Sequence, residues 1–447
     1  MARRWPYNAL LRILISAGEA SGEMYGAQLI EALYRIASQR RAELCSAGRP
    51  GAVAPKQALE FFGAGGRGMR AAGCDTVVDA KDLSVVCITE ILRHLPRIYS
   101  LYKHLLVEAD RRKPDLAIVI DSPAFNWRVA RQMKKRGVPV VYYVAPQFWA
   151  WRQERVRLLR DYVDKALVIF PFEEKFYRDH DVDATFVGHP LAELPNPTIP
   201  RNDYAAQFRL DAAKQWITIM PGSRMKEARM NLPTILEAAR QLGQEYEFLL
   251  PVAPTLDAAF LKQLIDRREV DRTGDKIVSL DAANITLVPE SLPALWHSRA
   301  GIIASGTATV EAAMMGTPFV MVYCVSSLTY FLGKPRVKVP YFAMVNLIDG
   351  EQVVPELVQH DFTAENVVAQ VQRILPESEI RETMLTGLAR VKAKLRGDPG
   401  KSGVSRAVLY PHPAERAAQI IFNLVDFKSG MKSGLGSGRS GGEIPDV

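Results

Sequence analysis

Residues 111–126 read RRKPDLAIVIDSPAFN, and this stretch sets the fold class. Its centre, Leu116–Ile120, is an unbroken apolar run. A strand that is apolar throughout is covered on both faces, as strands of parallel sheets are. Asp115 opens the run and Asp121 closes it, while Pro123 ends the strand and holds the turn. The carboxyl end of a parallel strand faces the ligand crevice, so Asp121 is the better catalytic candidate of the two. The competing reading makes Asp121 the cap of the following helix.

Working outward, similar runs occur in the first half at Arg12–Ser16, Val138–Val144 and Ala166–Phe170. In the second half they occur at Trp216–Met220, Phe248–Val252, Ile285–Val288, Gly301–Ala304 and Pro318–Val322. Helical patterns separate them. Right-handed crossovers then predict doubly wound α/β domains. Between the halves, His189–Arg201 carries Pro190, Pro195, Pro197 and Pro200 and is predicted as an extended, exposed linker. The expected organisation is an extension (1–11), a first domain (12–188), the linker (189–201), a second domain (202–395), a C-terminal helical segment (396–427) and a Gly/Ser tail (428–447). A cleft between the carboxyl ends of two such sheets is the default ligand site.

The chain has 447 residues, 48% of them hydrophobic, enough for two cores and too many for a disordered chain. The net charge is +8. From Lys81 to Arg160 there are 16 Lys/Arg against 7 Asp/Glu, so this one stretch holds the whole surplus. Such a patch suits an anionic partner, or is simply a set of solvated helix faces. Four cysteines (Cys45, Cys74, Cys87, Cys324) form no C-x-x-C pair, which argues against a zinc site or a redox dithiol. Leu10–Ala17, interrupted by Arg12, reads as a first strand and not as a leader. No apolar run approaches the roughly 18 residues of a spanning helix.

Several turns carry chemistry. The first strand runs into Ser16-Ala-Gly-Glu-Ala-Ser-Gly22. Gly18 and Gly22 allow close backbone approach, Glu19 offers an acid, and Ser21 is placed to cap a helix from about Glu23. Gly63, Gly65 and Gly68 spell a dinucleotide fingerprint with Asp82 downstream. However, the motif is not on the first βα turn, and too few residues follow for its helix, so it reads better as a glycine-rich loop. Val144–Arg160 places Trp149 and Trp151 ahead of Arg152, Arg155, Arg157 and Arg160. This arrangement suits a sugar face with a phosphate nearby, or equally core tryptophans beside a solvated arginine face. In the second half, Pro221-Gly-Ser-Arg224 offers backbone donors at Gly222 and Ser223 and a planar cation at Arg224. Ser305-Gly-Thr-Ala-Thr-Val-Glu311 is a helix start suited to a diphosphate, through Ser305, Gly306, Thr307 and Thr309. With Thr307 as cap, a capping-box acid would fall at Val310, leaving Glu311 available for ribose hydroxyls.

Together these segments resemble the lipid A disaccharide synthase family. The matching stretches are AGEASGE (17–23), GAGGRGM (63–69), LSVVCITEILRHLPRI (83–98), IDSPAFN (120–126), YVAPQFWAW (143–151), FVGHPL (186–191), MPGSRMKE (220–227), ASGTATVEA (304–312), VNLIDGE (345–351) and PELVQHDFT (355–363). They run in family order from about residue 12 to 425. Two positions depart from the family pattern: Glu23 stands where Asp is usual, and Ala124 where a second acid is usual.

The resemblance implies a GT-B fold of two facing Rossmann-like domains. It implies a UDP-2,3-diacylglucosamine donor, a 2,3-diacylglucosamine 1-phosphate acceptor (lipid X), a β-1,6 link and departing UDP. Asp121 would be the base. Gly222, Ser223, Arg224, Ser305, Gly306, Thr307, Thr309, Glu311 and Asn346 would serve the donor. Gly18, Glu19, Ser21, Gly22, Asn126, Gln147 and Trp149 would form the acceptor side of the cleft. No cofactor or metal is expected, because no D-x-D pair or His cluster accompanies the phosphate loops. Nucleic acid is not expected as a partner, and an oligomer is compatible with the sequence.

The substrates imply work at the cytoplasmic face of the inner membrane. Thr89–Leu106 has Ile91, Leu95, Ile98, Tyr102 and Leu105 interleaved with Arg93, His94, Arg97 and Lys103. Such a stretch lies in an anionic interface or, alternatively, packs on the sheet. Three rival functions remain open at this point. One is another GT-B enzyme, such as a peptidoglycan N-acetylglucosaminyltransferase or a UDP-sugar epimerase. The others are a nucleotide-dependent oxidoreductase using the Gly63 loop, and a non-enzymatic membrane or nucleic-acid binder.

Overall fold

A computed structural model describes residues 10–18, 20–46, 58–82, 88–150, 152–193, 196–266, 269–270, 277–278, 284–325, 339–397 and 412–434. The chain divides into two compact units: Met1–Pro190 with Pro399–Val447, and Leu191–Asp398.

In the first unit, β1 (Leu11–Ala17), α1 (Ala20–Ser46), β2 (Leu59–Gly65), α2 (Arg67–Ala71) and β3 (Cys74–Asp79) form one half. The long α3 (Ile88–Arg112) leads to the other half. That half comprises β4 (Leu116–Ile120), α4 (Pro123–Lys135), β5 (Val140–Tyr143), α5 (Val156–Tyr162), β6 (Lys165–Val168), α6 (Pro171–Arg178) and β7 (Ala184–Phe186). Among the described residues the seven strands order as β3-β2-β1-β4-β5-β6-β7, all parallel. The strand order reverses between β1 and β4, where Ala17 lies opposite Ile120. The ligand crevice of a doubly wound sheet opens at that reversal.

The second unit contains α7 (Arg201–Phe208), β8 (Gln215–Met220), α8 (Met225–Leu242), β9 (Tyr246–Pro251), α9 (Ala258–Ile265) and a two-stranded ribbon of β10 (Glu269–Val270) and β11 (Ile277–Val278). There follow β12 (Asn284–Val288), α10 (Ser291–His297), β13 (Ala300–Ala304), α11 (Thr307–Met315), β14 (Phe319–Tyr323), α12 (Met344–Asp349), β15 (Glu356–Val358), α13 (Ala364–Ile374) and α14 (Glu379–Arg396). The described main sheet is again parallel, ordered β12-β9-β8-β13-β14-β15, and it reverses between β8 and β13.

The last helix, α15 (Pro413–Gly434), returns to the first unit and packs along α1. Arg40 bridges the two helices. Its guanidinium reaches Asp426 and Asn423, each at 3.0 Å, and lies 4.9 Å from the Phe422 ring centre. Burial explains why the strands read as continuous apolar runs: Leu116–Ile120 has no exposed surface at all.

Some expectations change. The 189–201 segment is not extended throughout: His189 is fully buried and Pro190–Glu193 forms a 3-10 turn. Residues 39–57, polar and Gly/Pro-containing, read in the sequence as a surface insertion; residues 39–46 instead form the end of α1, and residues 47–57 lie outside the described residues. In α3, Ile98, Leu101, Tyr102 and Leu106 pack on the first unit's core and Leu105 is buried. From Ile98 onward the apolar stripe therefore faces the sheet and not an interface.

Candidate active site

Each reversal point gathers two of the sequence motifs. In the first unit, β1 delivers Gly18 and β4 delivers Asp121. A Cβ added at Gly18 would sit 2.5 Å from Ser122 Oγ, so a larger residue there would have to displace the Ser122 side chain. Gly22 packs beside Asp121, whose Cβ would be 3.6 Å from a side chain placed at 22. The helix begins at Ala20, so Ser21 is an exposed first-turn residue and not the cap. Glu19 lies outside the described residues.

Asp121 is not a helix cap either: the N-cap of α4 is Ser122. Both residues stand in the left-handed region, at φ 48° and 45°. That conformation costs a non-glycine residue about 1–2 kcal/mol, so the surroundings must hold it. The Asp121 N–H donates to the Tyr143 carbonyl at 3.2 Å. Its carbonyl accepts from Asn126 Nδ2 at 2.9 Å and from the Tyr142 hydroxyl at 2.8 Å. Asn126 is fully buried and also donates to the Ile120 and Ser16 carbonyls, while Ser16 Oγ donates to its Oδ1 at 2.7 Å. Asn126 therefore ties the ends of β1 and β4 together and does not face a ligand. Asp121 is half-buried at the crevice end of its strand.

Trp149 is also structural. Its ring is buried, and its N–H donates to Glu173 at 2.8 Å. Glu173 further accepts from the Ile169 and Phe170 N–H groups, and burial pushes its carboxyl up to about 7. Of its neighbours, Gln147 is exposed, as are Arg152, Arg155, Arg157 and Arg160. Trp151 lies outside the described residues.

The dinucleotide fingerprint is excluded by what fills it. Gly63 and Gly65 belong to β2, and a short helix, α2, does follow them. The N-terminus of α2 is already occupied by a carboxylate of the chain itself: Glu23 Oε1 accepts from the Gly68 N–H and from the Met69 N–H, the latter at 3.2 Å. A pyrophosphate there would meet that negative charge. Asp82 is engaged with Arg97 at 2.7 Å.

In the second unit, β8 runs into a turn with Gly222 at φ 119°, and β13 into one with Gly306 at φ 141°. A methyl group at 222 would strike Glu227, coming within 2.6 Å of its Cβ. Gly306, not Thr307, caps α11, and a methyl there would meet nothing within 4 Å. Its backbone is therefore approachable. The Thr309 hydroxyl donates back to the Gly306 carbonyl at 2.7 Å, and Ser305 Oγ to the Phe342 carbonyl at 2.7 Å.

Arg224, the N-cap of α8, is 71% exposed and paired with Glu227 at 2.9 Å. Exposed pairs are worth about 0–1 kcal/mol, so the guanidinium can turn to an incoming phosphate at little cost. Glu311 accepts from Ser291 Oγ at 2.6 Å, and burial raises its carboxyl above the ordinary range, offset in part by that hydroxyl.

Asn346 does not serve a ligand through its side chain. Its two N–H groups go to the Val354 carbonyl and Glu356, and its oxygen accepts from Val353 and Val354. All four of its hydrogen-bonding valences are spent inside the unit. Two residues missed in the sequence complete the frame. Asn231, fully buried, donates to the Pro221 carbonyl at 2.8 Å and accepts from the Cys324 N–H at 3.1 Å, holding the Gly222 turn. Glu356 accepts from the N–H groups of Phe342 and Ala343, and so anchors the segment that Ser305 touches. A polar residue inside an otherwise apolar helix face was the available signal for Asn231.

Two parallel-sheet α/β units with such reversal points define the GT-B class. Solved structures agree. A calicheamicin glycosyltransferase, CalG4, superposes with a TM-score of 0.53 at 15% identity, covering 95% of this chain and 98% of that one. A UDP-N-acetylglucosamine 2-epimerase from Listeria monocytogenes gives 0.53 at 13% identity, with coverage of 95% and 98%. At these identities the likeness concerns the fold. The family follows from sequence: residues 13–397 match the lipid-A-disaccharide synthetase model. Lipid-A-disaccharide synthases of Koribacter versatilis (47% identical, 94% of this chain and 100% of that one) and Acidobacterium capsulatum (48%, 90% and 95%) match almost throughout. The chain belongs to the lipid-A-disaccharide synthetase family and is a glycosyltransferase of lipid A biosynthesis.

Proposed function

We propose that the chain joins UDP-2,3-diacylglucosamine to 2,3-diacylglucosamine 1-phosphate through a β-1,6 link, inverting the donor's anomeric carbon and releasing UDP. The acceptor 6-hydroxyl attacks as the diphosphate leaves. Asp121 takes the hydroxyl proton. Arg224 and the N–H groups at the start of α11 receive the charge that grows on the leaving diphosphate. Glu311 contacts the ribose. The observation that carries this reading is the division of labour between the reversal points. One presents a carboxylate on a held turn, and the other presents glycine turns, a helix start and an exposed arginine.

The test is incubation with the two acylated sugars and detection of the disaccharide by mass spectrometry. Wild type should form it and Asp121→Asn should form it far more slowly. Product from UDP-N-acetylglucosamine alone would favour the epimerase reading instead.

The same reading places the enzyme peripherally at the cytoplasmic face of the inner membrane, where acylated substrates reside. No helix among the described residues is long and apolar enough to cross a membrane. Attraction between exposed charges is screened beyond roughly 8–10 Å at 0.1–0.15 M salt. High salt should therefore release part of the protein from anionic vesicles. Retention until detergent is added would argue for apolar insertion.

A further inference from the structure

The proposed chemistry asks for a carboxylate in one position, yet Asp121 and Ser122 stand in a conformation that neither residue type favours. Whatever fixes the Asp121 peptide fixes the direction of its Cα–Cβ bond, from which the carboxylate projects. The Tyr142 hydroxyl reaches the Asp121 carbonyl at 2.8 Å from β5, the strand beside β4. Tyr142 is fully buried, and its ring is packed in the first unit's core. A phenol has few rotatable bonds, so a packed ring holds its hydroxyl in a narrow range.

The next residue supplies a contrast. Tyr143 is equally buried but points to the opposite face of the sheet, as alternation along a strand requires. Its hydroxyl has no hydrogen-bond partner among the described residues. Of two adjacent, equally buried tyrosines, one hydroxyl grips the Asp121 turn and the other grips nothing described.

We infer that Tyr142 is a positioning residue for the transfer reaction, acting through the Asp121 peptide to aim the carboxylate at the acceptor hydroxyl. This rests on the reading of Asp121 as the base. It predicts a loss in turnover without a loss in binding, since small misplacements of a reacting group cost rate steeply.

Tyr142→Phe, Tyr143→Phe and Asp121→Asn, with the double variant Tyr142→Phe/Asp121→Asn, test it in the full-length enzyme. Tyr142→Phe should lower kcat by about tenfold with both KM values nearly unchanged. Tyr143→Phe, the same deletion of one oxygen on the same strand, should leave kcat close to wild type. In the Asp121→Asn background, Tyr142→Phe should have no further effect, because the group it aims is gone.

The inference is overturned if Tyr142→Phe keeps full kcat, if its loss persists undiminished in the double variant, or if Tyr143→Phe loses as much. It is overturned as well if Tyr142→Phe cannot be obtained folded while Tyr143→Phe can, since the hydroxyl is then a stability element. If Asp121→Asn is slow and Tyr142→Phe is not, only this inference fails. If Asp121→Asn itself keeps near-full turnover, the base assignment fails and takes the inference with it.

Discussion

The turn after β4 in the first unit and the turns after β8 and β13 in the second solve the same geometric problem differently. All three place the backbone at positive φ at the carboxyl end of a parallel strand beside a reversal point. The first does so with Asp121 and Ser122, the others with Gly222 and Gly306. Glycine adopts this region without steric cost. The turns differ in what surrounds them: Asp121 carries a side chain at the strand end, a methyl at 222 would strike Glu227, and at 306 the backbone lies open. Behind the turns the solution is shared. Asn126 ties β1 to β4, and Asn231 ties the end of β8 to the end of β14. On the proposed reading, the left-handed non-glycine turn stands where the base is assigned, and glycine stands at the turns assigned to the donor.

The largest expected effect tests that statement directly. Asp121→Asn should lower kcat by about 10²–10⁴, the usual contribution of a general base, with donor affinity and Tm nearly unchanged. Asp121→Gly should lose as much activity without loss of stability, because glycine relieves the left-handed turn. Asp115→Asn is the control. Asp115 accepts from the Arg12 N–H at 3.0 Å at the other end of the strand, so its replacement should barely change kcat. Near-full turnover in Asp121→Gly would show that the turn carries no side-chain chemistry and would erase the contrast between the units.

Next in size is a pH effect that separates two buried carboxyls, one in each unit. Glu173 is raised from the ordinary 4.5 to about 7, chiefly by burial, while its three N–H donors pull the other way. A raised folded-state pKa means that the folded protein holds the proton more tightly than the unfolded chain. Its stabilising contribution is complete below about pH 4.5 and is lost as pH rises through about 7. The whole effect is on the order of 3 kcal/mol. Glu173→Gln removes the titration. The stability gap between wild type and variant should therefore shrink from pH 5 to pH 8, as read by denaturant unfolding. A gap that stays constant with pH would show that Glu173 does not titrate there. Glu311 is raised in the same direction but has a hydroxyl partner, and on the proposed reading Glu311→Gln should show its effect in ligand binding.

A smaller effect probes the second unit. Arg224→Ala should weaken UDP by about 10- to 100-fold, the worth of a charge-assisted hydrogen bond of roughly 1.5–3 kcal/mol, and leave uridine almost unaffected. The exposure of Arg224 in its pair with Glu227 implies little change in Tm. Equal weakening of UDP and uridine, measured by calorimetry, would move Arg224 away from the phosphates.

Much of this is legible in the sequence because buried parallel strands announce themselves. Leu116–Ile120 matches its apolar run to the residue, and the other eight expected strands lie within two residues or so of theirs. Both reversal points fall on turns that the sequence marks by their chemistry. What the sequence hides has physical causes. Leu59–Gly65 ends in glycines and reads as a loop, and Cys74–Asp79 is only partly buried. Ala184–Phe186 and Glu356–Val358 are three residues long, too short for a pattern. At the site, residue type conveys the chemistry but not the direction a side chain faces. Asn126, Trp149 and Asn346 look like ligand contacts and are instead consumed by bonds within their own unit. Polar side chains at strand ends serve ligands and backbone alike, and spacing alone does not separate the two uses.

The smallest effect is the sharpest test of where strain lies. Ser122 has φ 45° and ψ 60°, and its side chain makes no capping bond to α4 although it occupies the N-cap position. A serine cap ordinarily contributes about 1 kcal/mol, so that contribution is absent here. Ser122→Gly removes a left-handed penalty of about 1–2 kcal/mol and adds the entropy cost of a more flexible unfolded chain, about 0.4–1 kcal/mol. The balance is a gain of up to roughly 1.6 kcal/mol, or about 3–6 °C in Tm for a unit of this size. Gly306→Ala makes the opposite change on the other unit and should lose a similar amount, because φ 141° is closed to alanine. Opposite signs for the two variants support the comparison. If Ser122→Gly instead destabilises the protein by more than about 1 kcal/mol, the serine side chain is holding the turn against Gly18. The left-handed conformation would then be a consequence of that contact and not a cost carried for Asp121.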